Sequence, residues 1–344
     1  MLVPSLIVAI AAIALLLLIL TSKRSTAKPE AYYDLSEAER YLHKWGYVDT
    51  RFEFDDPRSV KVTGNRYPIS GFRMPYLVPF VEEMLGFSIR PEDTVVGNQT
   101  HNIPQPNIED HFFKAVETQF ESDQFSIDEK DRLVHSHGQL SVDEIYRILY
   151  GSSLERVVDL VFFPQSEEDV KGIIELANEH NVCLIPYGGG TNVSGALAIS
   201  TEEERMVVSV DMQRMNRIIW IDEENFQACI EAGIMGKQLE KLLGEEGYTS
   251  GHDPDSIEFS TLGGWIATNA SGMKKNRYGN IEDIVIEATL VTPTGNIETK
   301  CITPRNSTGI RPQAFLFGSE GNLGIITKAV IKIHLEPEAR KFGS

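Results

Sequence analysis

Two glycine-rich segments about sixty residues apart carry the residue types best suited to chemistry in this chain. The first is Pro186-Tyr187-Gly188-Gly189-Gly190-Thr191-Asn192, directly after the apolar run Val182-Cys183-Leu184-Ile185. The second runs His252-Asp253-Pro254-Asp255-Ser256, then Thr261-Leu262-Gly263-Gly264, then Ala270-Ser271-Gly272-Met273. Glycines after a buried strand let the backbone come close to a ligand, and successive N–H groups can turn inward as an anion nest. Two such loops in one domain point to a long cofactor carrying a pyrophosphate. Asp255 and Ser256 read as ligand contacts or as a turn cap. His252 reads as a proton carrier or a satisfied loop residue. His135 and His137, in Arg132-Leu133-Val134-His135-Ser136-His137-Gly138, read as an active-site lining, with a helix-end cap the plainer role for His137. Lys274, Lys275 and Arg277 form a local basic cluster, suited to a substrate phosphate or to a solvated face. Arg305 poses the same choice.

These loops need buried strands and helices to hold them. Val157 to Phe163 reads as a strand stopped by Pro164. Ser166 caps a helix whose apolar stripe is Val170, Ile173, Ile174 and Ala177. Val182 to Ile185 is the next strand, so the first glycine loop closes a strand–helix–strand unit. A β-rich region follows, with strands at Met206–Val210, Arg217–Ile221 and Ala228–Ala232 and a helix from Gly236 to Leu243. A hairpin joins Ile284–Val291 to Asn296–Glu298, and a last strand runs Gly324–Ile333. Upstream, Leu35–Leu42, Tyr76–Leu85, Asn107–Phe120 and Ser141–Leu149 are amphipathic, and Phe52–Phe54 with Val60–Val62 suggests a small hairpin. The tryptophans Trp45, Trp220 and Trp265 read as core residues.

Charge and composition narrow the partners. Over 344 residues, acids outnumber bases 50 to 32, a net charge of −18. The balance argues against a nucleic-acid partner, which would require a basic face; it leaves room for a small anion held by backbone amides and a few local Arg or Lys. Cys183, Cys229 and Cys301 form neither a disulfide framework nor a zinc spacing, so no metal is expected. Cys183 and Cys229 read as core thiols of a reducing compartment.

Residues 1–22 carry no charged side chain, and Leu6–Leu20 is wholly aliphatic. That is long enough to span a bilayer. Lys23, Arg24 and Lys28 follow it, which places the remaining chain on the cytosolic side of a signal anchor. Asn98, Asn192, Asn269 and Asn306 head glycosylation sequons, and two of these lie in the cofactor loops, so a lumenal location is disfavoured.

The motifs resemble the vanillyl-alcohol-oxidase/PCMH flavoprotein superfamily. Within it, Arg66–Gly71, Gly251–Thr261, Ala270–Asn276, Tyr278–Asp283 and Gly318–Gly321 resemble the alkyldihydroxyacetonephosphate synthase (alkylglycerone-phosphate synthase) family over about residues 38–344. The resemblance implies an α+β, two-subdomain FAD-binding fold after a helical region; the apolar run at 1–22, which is unlike the family, adds one transmembrane helix ahead of them. With that anchor (1–22) and a polar linker (23–33), the chain divides further into a mainly helical region (34–152) and an FAD domain (153–336) with subdomains at 153–210 and 211–336. Residues 337–344 would begin a cap domain that the sequence as given lacks, along with the family's catalytic residues.

The resemblance further implies FAD, bound non-covalently, as a covalent trap through flavin N5 with no net redox change. It would exchange the acyl group of acyl-dihydroxyacetone phosphate for a long-chain alcohol. Pro186, Tyr187, Gly188, Gly189, Gly190, Thr191 and Asn192 would wrap the pyrophosphate. Asp255, Ser256, Ile257, Glu258, Phe259, Ser260 and Thr261 would line the flavin and dinucleotide. Thr268, Asn269, Ala270 and Ser271 would close over it. Glu320, Gly321, Asn322, Leu323, Gly324, Ile325 and Ile326 would hold the adenine or ribose end. The implied setting is a peroxisomal membrane, or the endoplasmic reticulum, with lipid substrates and a possible homodimer. Two other functions fit the same residues: an FAD-dependent hydroxy-acid oxidase or dehydrogenase, and a non-catalytic membrane-tethered flavin-binding protein.

Overall fold

Short apolar runs broken by polar turns make the chain a set of small sheets, each closed by helices. The computed structural model describes residues 40–41, 44–93, 102–151, 154–298, 303, 307, 309 and 311–339. The expected anchor at 1–22, the linker at 23–33, Cys301, Arg305 and residues 340–344 lie outside them. Among the described residues no helix is long and apolar enough to cross a membrane.

One compact unit includes Tyr47–Ile89. Strands β1 (Phe52–Asp56) and β2 (Ser59–Val62) form the expected antiparallel hairpin, with Phe52 opposite Val62, and β3 (Arg73–Met74) pairs along β2. Helix α1 (Leu77–Leu85) follows and stops at Gly86, where φ is +74°. The stretch expected to be mainly helical thus opens with a sheet.

The second unit takes Arg40–Gly46 and the chain from Arg90 onward. Its first layer holds α2 (Asp110–Gln119), β4 (Phe125–Ser126), α3 (Glu129–Val134), α4 (Val142–Tyr150), β5 (Leu160–Phe162), α5 (Glu167–Glu179), β6 (Cys183–Tyr187) and β7 (Val207–Asp211). The strand order is β4-β5-β7-β6, with β7 parallel to both β5 and β6. The two strands flanking α5 are therefore not neighbours; β7 separates them. Ser166 and Asp169 make a reciprocal capping box at the start of α5. The helix buries Val170, Ile173, Ile174 and Ala177 against Phe112 and Val116 of α2 and Val208 and Val210 of β7.

The larger layer continues with β8 (Ile218–Asp222), β9 (Gln227–Glu231), α6 (Gly236–Glu245), β10 (Tyr248–Thr249), α7 (Leu262–Ala267), α8 (Lys275–Tyr278), α9 (Ile281–Ile284), β11 (Val285–Thr292), β12 (Gly295–Ile297), β13 (Ile325–Lys332) and β14 (His334–Leu335). Its main sheet is antiparallel throughout, in the order β12-β11-β13-β9-β8. Its core joins Ile230, Leu239, Leu243, Leu262, Trp265, Leu290 and Ile331. Trp220 departs from expectation: on β8, an edge strand, it is 36% exposed. Cys229 is buried and Cys183 half-buried, and burial raises both thiols above their ordinary range.

The two layers are tied by Glu167 at the start of α5. Its carboxylate accepts from Asn296 Nδ2 and Lys328 Nζ, both at 2.9 Å, and pairs with Lys171 at 2.9 Å. Burial would push this carboxyl up, but the hydrogen bonds from Lys328, Lys171 and Asn296 outweigh it and hold it at about 2. A carboxylate depressed on folding stabilises fully above its unfolded value of 4.5, and the contribution fades as pH falls toward 2. Glu167→Gln is expected to cost about 1–2 kcal/mol at pH 7 and much less at pH 3. Urea unfolding of both proteins at the two pH values checks this.

Candidate functional site

Strand β6 delivers the first glycine loop to the carboxyl edge of the parallel strands, where open α/β sheets place their ligands. Packing dictates glycine there. A Cβ on Gly188 would collide with Thr261 Oγ1, and one on Gly189 with the Phe259 carbonyl. At Gly190 φ is +67°, and a Cβ would lie 2.5 Å from Tyr187 Oη. Among the described residues, the N–H groups of Gly189, Gly190, Thr191 and Asn192 find no acceptor.

The second segment forms the wall against which this loop presses. Thr261 caps α7, its Oγ1 accepting from Gly264 N at 3.2 Å. Trp265 Nε1 donates to Ser260 Oγ at 2.8 Å. Pro254 bridges Gly272, which ties the Asp-Pro-Asp turn to the Ala-Ser-Gly loop. A third segment closes the far side. Glu320, at φ +45°, donates its N–H to Ala267 O at 2.9 Å and accepts from Ser194 Oγ at 2.7 Å.

These three segments enclose a cavity of about 480 Å³. From the expected set it is lined by the whole first loop, by Asp255, Ser260, Thr261, Thr268, Ala270 and Ser271, and by Glu320, Gly321, Gly324, Ile325 and Ile326. Ser256, Ile257, Glu258, Phe259, Asn269, Asn322 and Leu323 lie outside the lining. Ile257 and Phe259 instead back the wall: Ile257 O accepts from Lys237 N at 3.0 Å, and Phe259 is fully buried. Among the lining residues that sequence reasoning missed are Met212, Ala232 and Ser194. The first two are apolar types indistinguishable from core; Ser194 carried a usable signal, because it follows the glycine loop directly. Among the described residues, Asp255 and Glu320 are the charged members of the lining, and no lysine or arginine belongs to it. An anion in this cavity would be met by main-chain amides and by neutral side chains such as Thr191 and Asn192.

The histidines sit apart from the lining. His135, not His137, occupies the end of α3; its Nδ1 is 2.6 Å from Asp131 O and its Nε2 2.9 Å from Asp211 Oδ2. His137 is fully buried, with Nδ1 3.3 Å from Gly138 O. His252 is 2% exposed, stacks edgewise on Trp265 at 5.0 Å, and among the described residues neither ring nitrogen has a hydrogen-bond partner. Burial drives it down to about 4, so the ring is neutral at pH 7. The unfolded chain would take up its proton near 6.5, so stability falls as pH drops from 6.5 toward 4, by at most about 3 kcal/mol. His252→Phe keeps the stacking and removes two orphaned nitrogens. It is expected to be neutral or stabilising at pH 7 and to flatten the acid limb in thermal melts from pH 7 to 4.5. Lys274 pairs with Asp253 at 3.1 Å, and Lys275 and Arg277 are exposed.

Residues 158–300 match the family described as an FAD binding domain. The chain carries that domain, in an α+β fold. It is also similar to the alkyldihydroxyacetonephosphate synthases. It is 41% identical to "Alkyldihydroxyacetonephosphate synthase" of Caenorhabditis elegans and 38% identical to that of Dictyostelium discoideum, each over 87% of this chain and 50% of the relative. A solved structure titled "alkyldihydroxyacetonephosphate synthase in P1" superposes with a TM-score of 0.78 at 36% identity, over 87% of this chain and 55% of that one. The chain thus spans about half the length of the curated relatives it matches. The cofactor is FAD, and the residues present fit it: the glycine loop packs so tightly on Thr261, Phe259 and Tyr187 that a Cβ has no room, and among the described residues its amides lack acceptors.

Proposed function

We propose that this chain serves the acyl-for-alkyl exchange of ether-lipid synthesis, with FAD held in the cavity described above. The observation that carries this is the run of acceptor-free amides at Gly189, Gly190, Thr191 and Asn192, facing a wall built from the segment that resembles the synthases. In this reading those amides take the diphosphate. Glu320 and Ser194 take hydroxyls of the ribose. Asp255, Thr268 and Ser271 border the dinucleotide toward the flavin. Attachment is non-covalent. When bound, the flavin supplies the electrophilic ring for the exchange. The carboxylate of the acyl chain leaves, the alcohol oxygen replaces it, and no net redox change occurs.

The substrates would be acyl-dihydroxyacetone phosphate and a long-chain alcohol. A membrane anchor at residues 1–22, with the domain on the cytosolic side of a peroxisomal or endoplasmic-reticulum membrane, would suit such lipids; a homodimer is part of the same reading. The test is incubation of the flavin-loaded protein with acyl-dihydroxyacetone phosphate and labelled fatty alcohol. Labelled alkyl-dihydroxyacetone phosphate is the expected product. Its absence, with anaerobic bleaching of the flavin by a 2-hydroxy acid, would replace this reading with a dehydrogenase.

A further inference from the structure

Three successive peptide planes of the glycine loop are gripped from behind. Gln213 Nε2 donates to Gly188 O at 2.7 Å, Arg40 Nη2 to Gly189 O at 3.2 Å, and Gln139 N to Gly190 O at 2.7 Å. A trans peptide plane sets its C=O and the following N–H on opposite sides. Anchoring these carbonyls therefore turns the N–H groups of Gly189, Gly190 and Thr191 the other way. Among the described residues these amides lack acceptors, and their residues line the cavity.

Arg40 is itself held in place. The same Nη2 reaches Gln139 Oε1 at 2.9 Å, and the guanidinium lies 4.1 Å over the ring of Phe259. Phe259 in turn meets Trp45 edge to face at 5.2 Å. The clamp thus joins residues 149 positions apart in the chain. It also sets a positive charge directly behind a loop whose cavity has no cation among its described lining residues.

We propose that Arg40 is a positioning residue for the FAD diphosphate: it fixes the Gly189–Gly190 peptide with its amide facing the ligand, and its charge raises the anion affinity of the loop. Gln213 does the same for the Gly188–Gly189 peptide, without charge. The proposal rests on the reading that this loop receives the diphosphate.

The test is calorimetric titration of apo-protein with FAD at several salt concentrations, for wild type, Arg40→Met, Arg40→Lys and Gln213→Met. Arg40→Met is expected to weaken FAD about tenfold and to flatten the dependence of affinity on salt. Arg40→Lys should keep the salt dependence. Gln213→Met should also lose about tenfold, with the salt dependence unchanged. If Arg40→Met does not fold, the other two variants decide. FAD affinities within twofold of wild type would overturn the proposal, as would equal losses in Arg40→Met and Arg40→Lys with no change in salt dependence. Wild-type protein that binds no FAD would instead overturn the cofactor assignment on which the proposal rests.

Discussion

Gly189→Ala is expected to weaken FAD binding by at least about a hundredfold, equivalent to about 3 kcal/mol. The added methyl would meet the Phe259 carbonyl and the Ser260 Cα, both backbone, so no side chain can rotate away. Phe259 cannot retreat either. Its N–H donates to Ser256 O at 2.8 Å, and its ring is pinned between Arg40 and Trp45. The loop must move instead, into the space the diphosphate needs. Gly244→Ala is the matched control. Its Cβ would meet Glu336 Oε1 at an ordinary 3.4 Å inside helix α6, where alanine is favoured over glycine by up to about 1 kcal/mol. Flavin absorbance retained through gel filtration separates the two: lost in the first, kept in the second.

Asp159→Ala is expected to lower stability by about 3–5 kcal/mol while leaving the FAD affinity of the folded protein within a few-fold of wild type. Asp159 is fully buried at the entry to β5. Its carboxylate accepts from Asn107 N, Val207 N and Arg156 Nη1 at 2.8 Å each, and from Arg156 Nη2 at 2.6 Å. Removing it orphans two backbone amides and leaves a largely buried guanidinium without its partner. The residue stands at the amino edge of the parallel strands, whereas the glycine loop stands at their carboxyl edge. Stability and cofactor affinity should therefore separate. Chemical denaturation and FAD titration, run on the same preparation, read the two effects.

What the sequence disclosed was local. A glycine run after an apolar strand announces a backbone that must come close to something, and Gly188–Gly190 do so against Thr261 and Phe259. The Ser166–Asp169 capping box and the β1–β2 hairpin were equally legible, because their partners lie within a few residues. Contacts formed across the chain were not. Nothing in the stretch around residue 40 signals that its arginine clamps Gly189, and nothing in the periodicity of residues 207–211 signals that β7 inserts between β5 and β6. Trp220 was misjudged because an apolar residue on an edge strand has the same composition signature as one in the core. His252 was ambiguous for a different reason. Its type suggested proton transfer, whereas its surroundings, burial beside the Trp265 ring with no hydrogen-bond partner among the described residues, hold it neutral.

The most direct measurement is an absorbance spectrum of the freshly purified protein, followed by calorimetric titration of stripped protein with FAD in the presence and absence of ADP. The account predicts a yellow protein that rebinds one FAD per chain, with ADP competing because it offers the same diphosphate to the same amides. A folded, colourless protein that neither takes up FAD nor responds to ADP would contradict it.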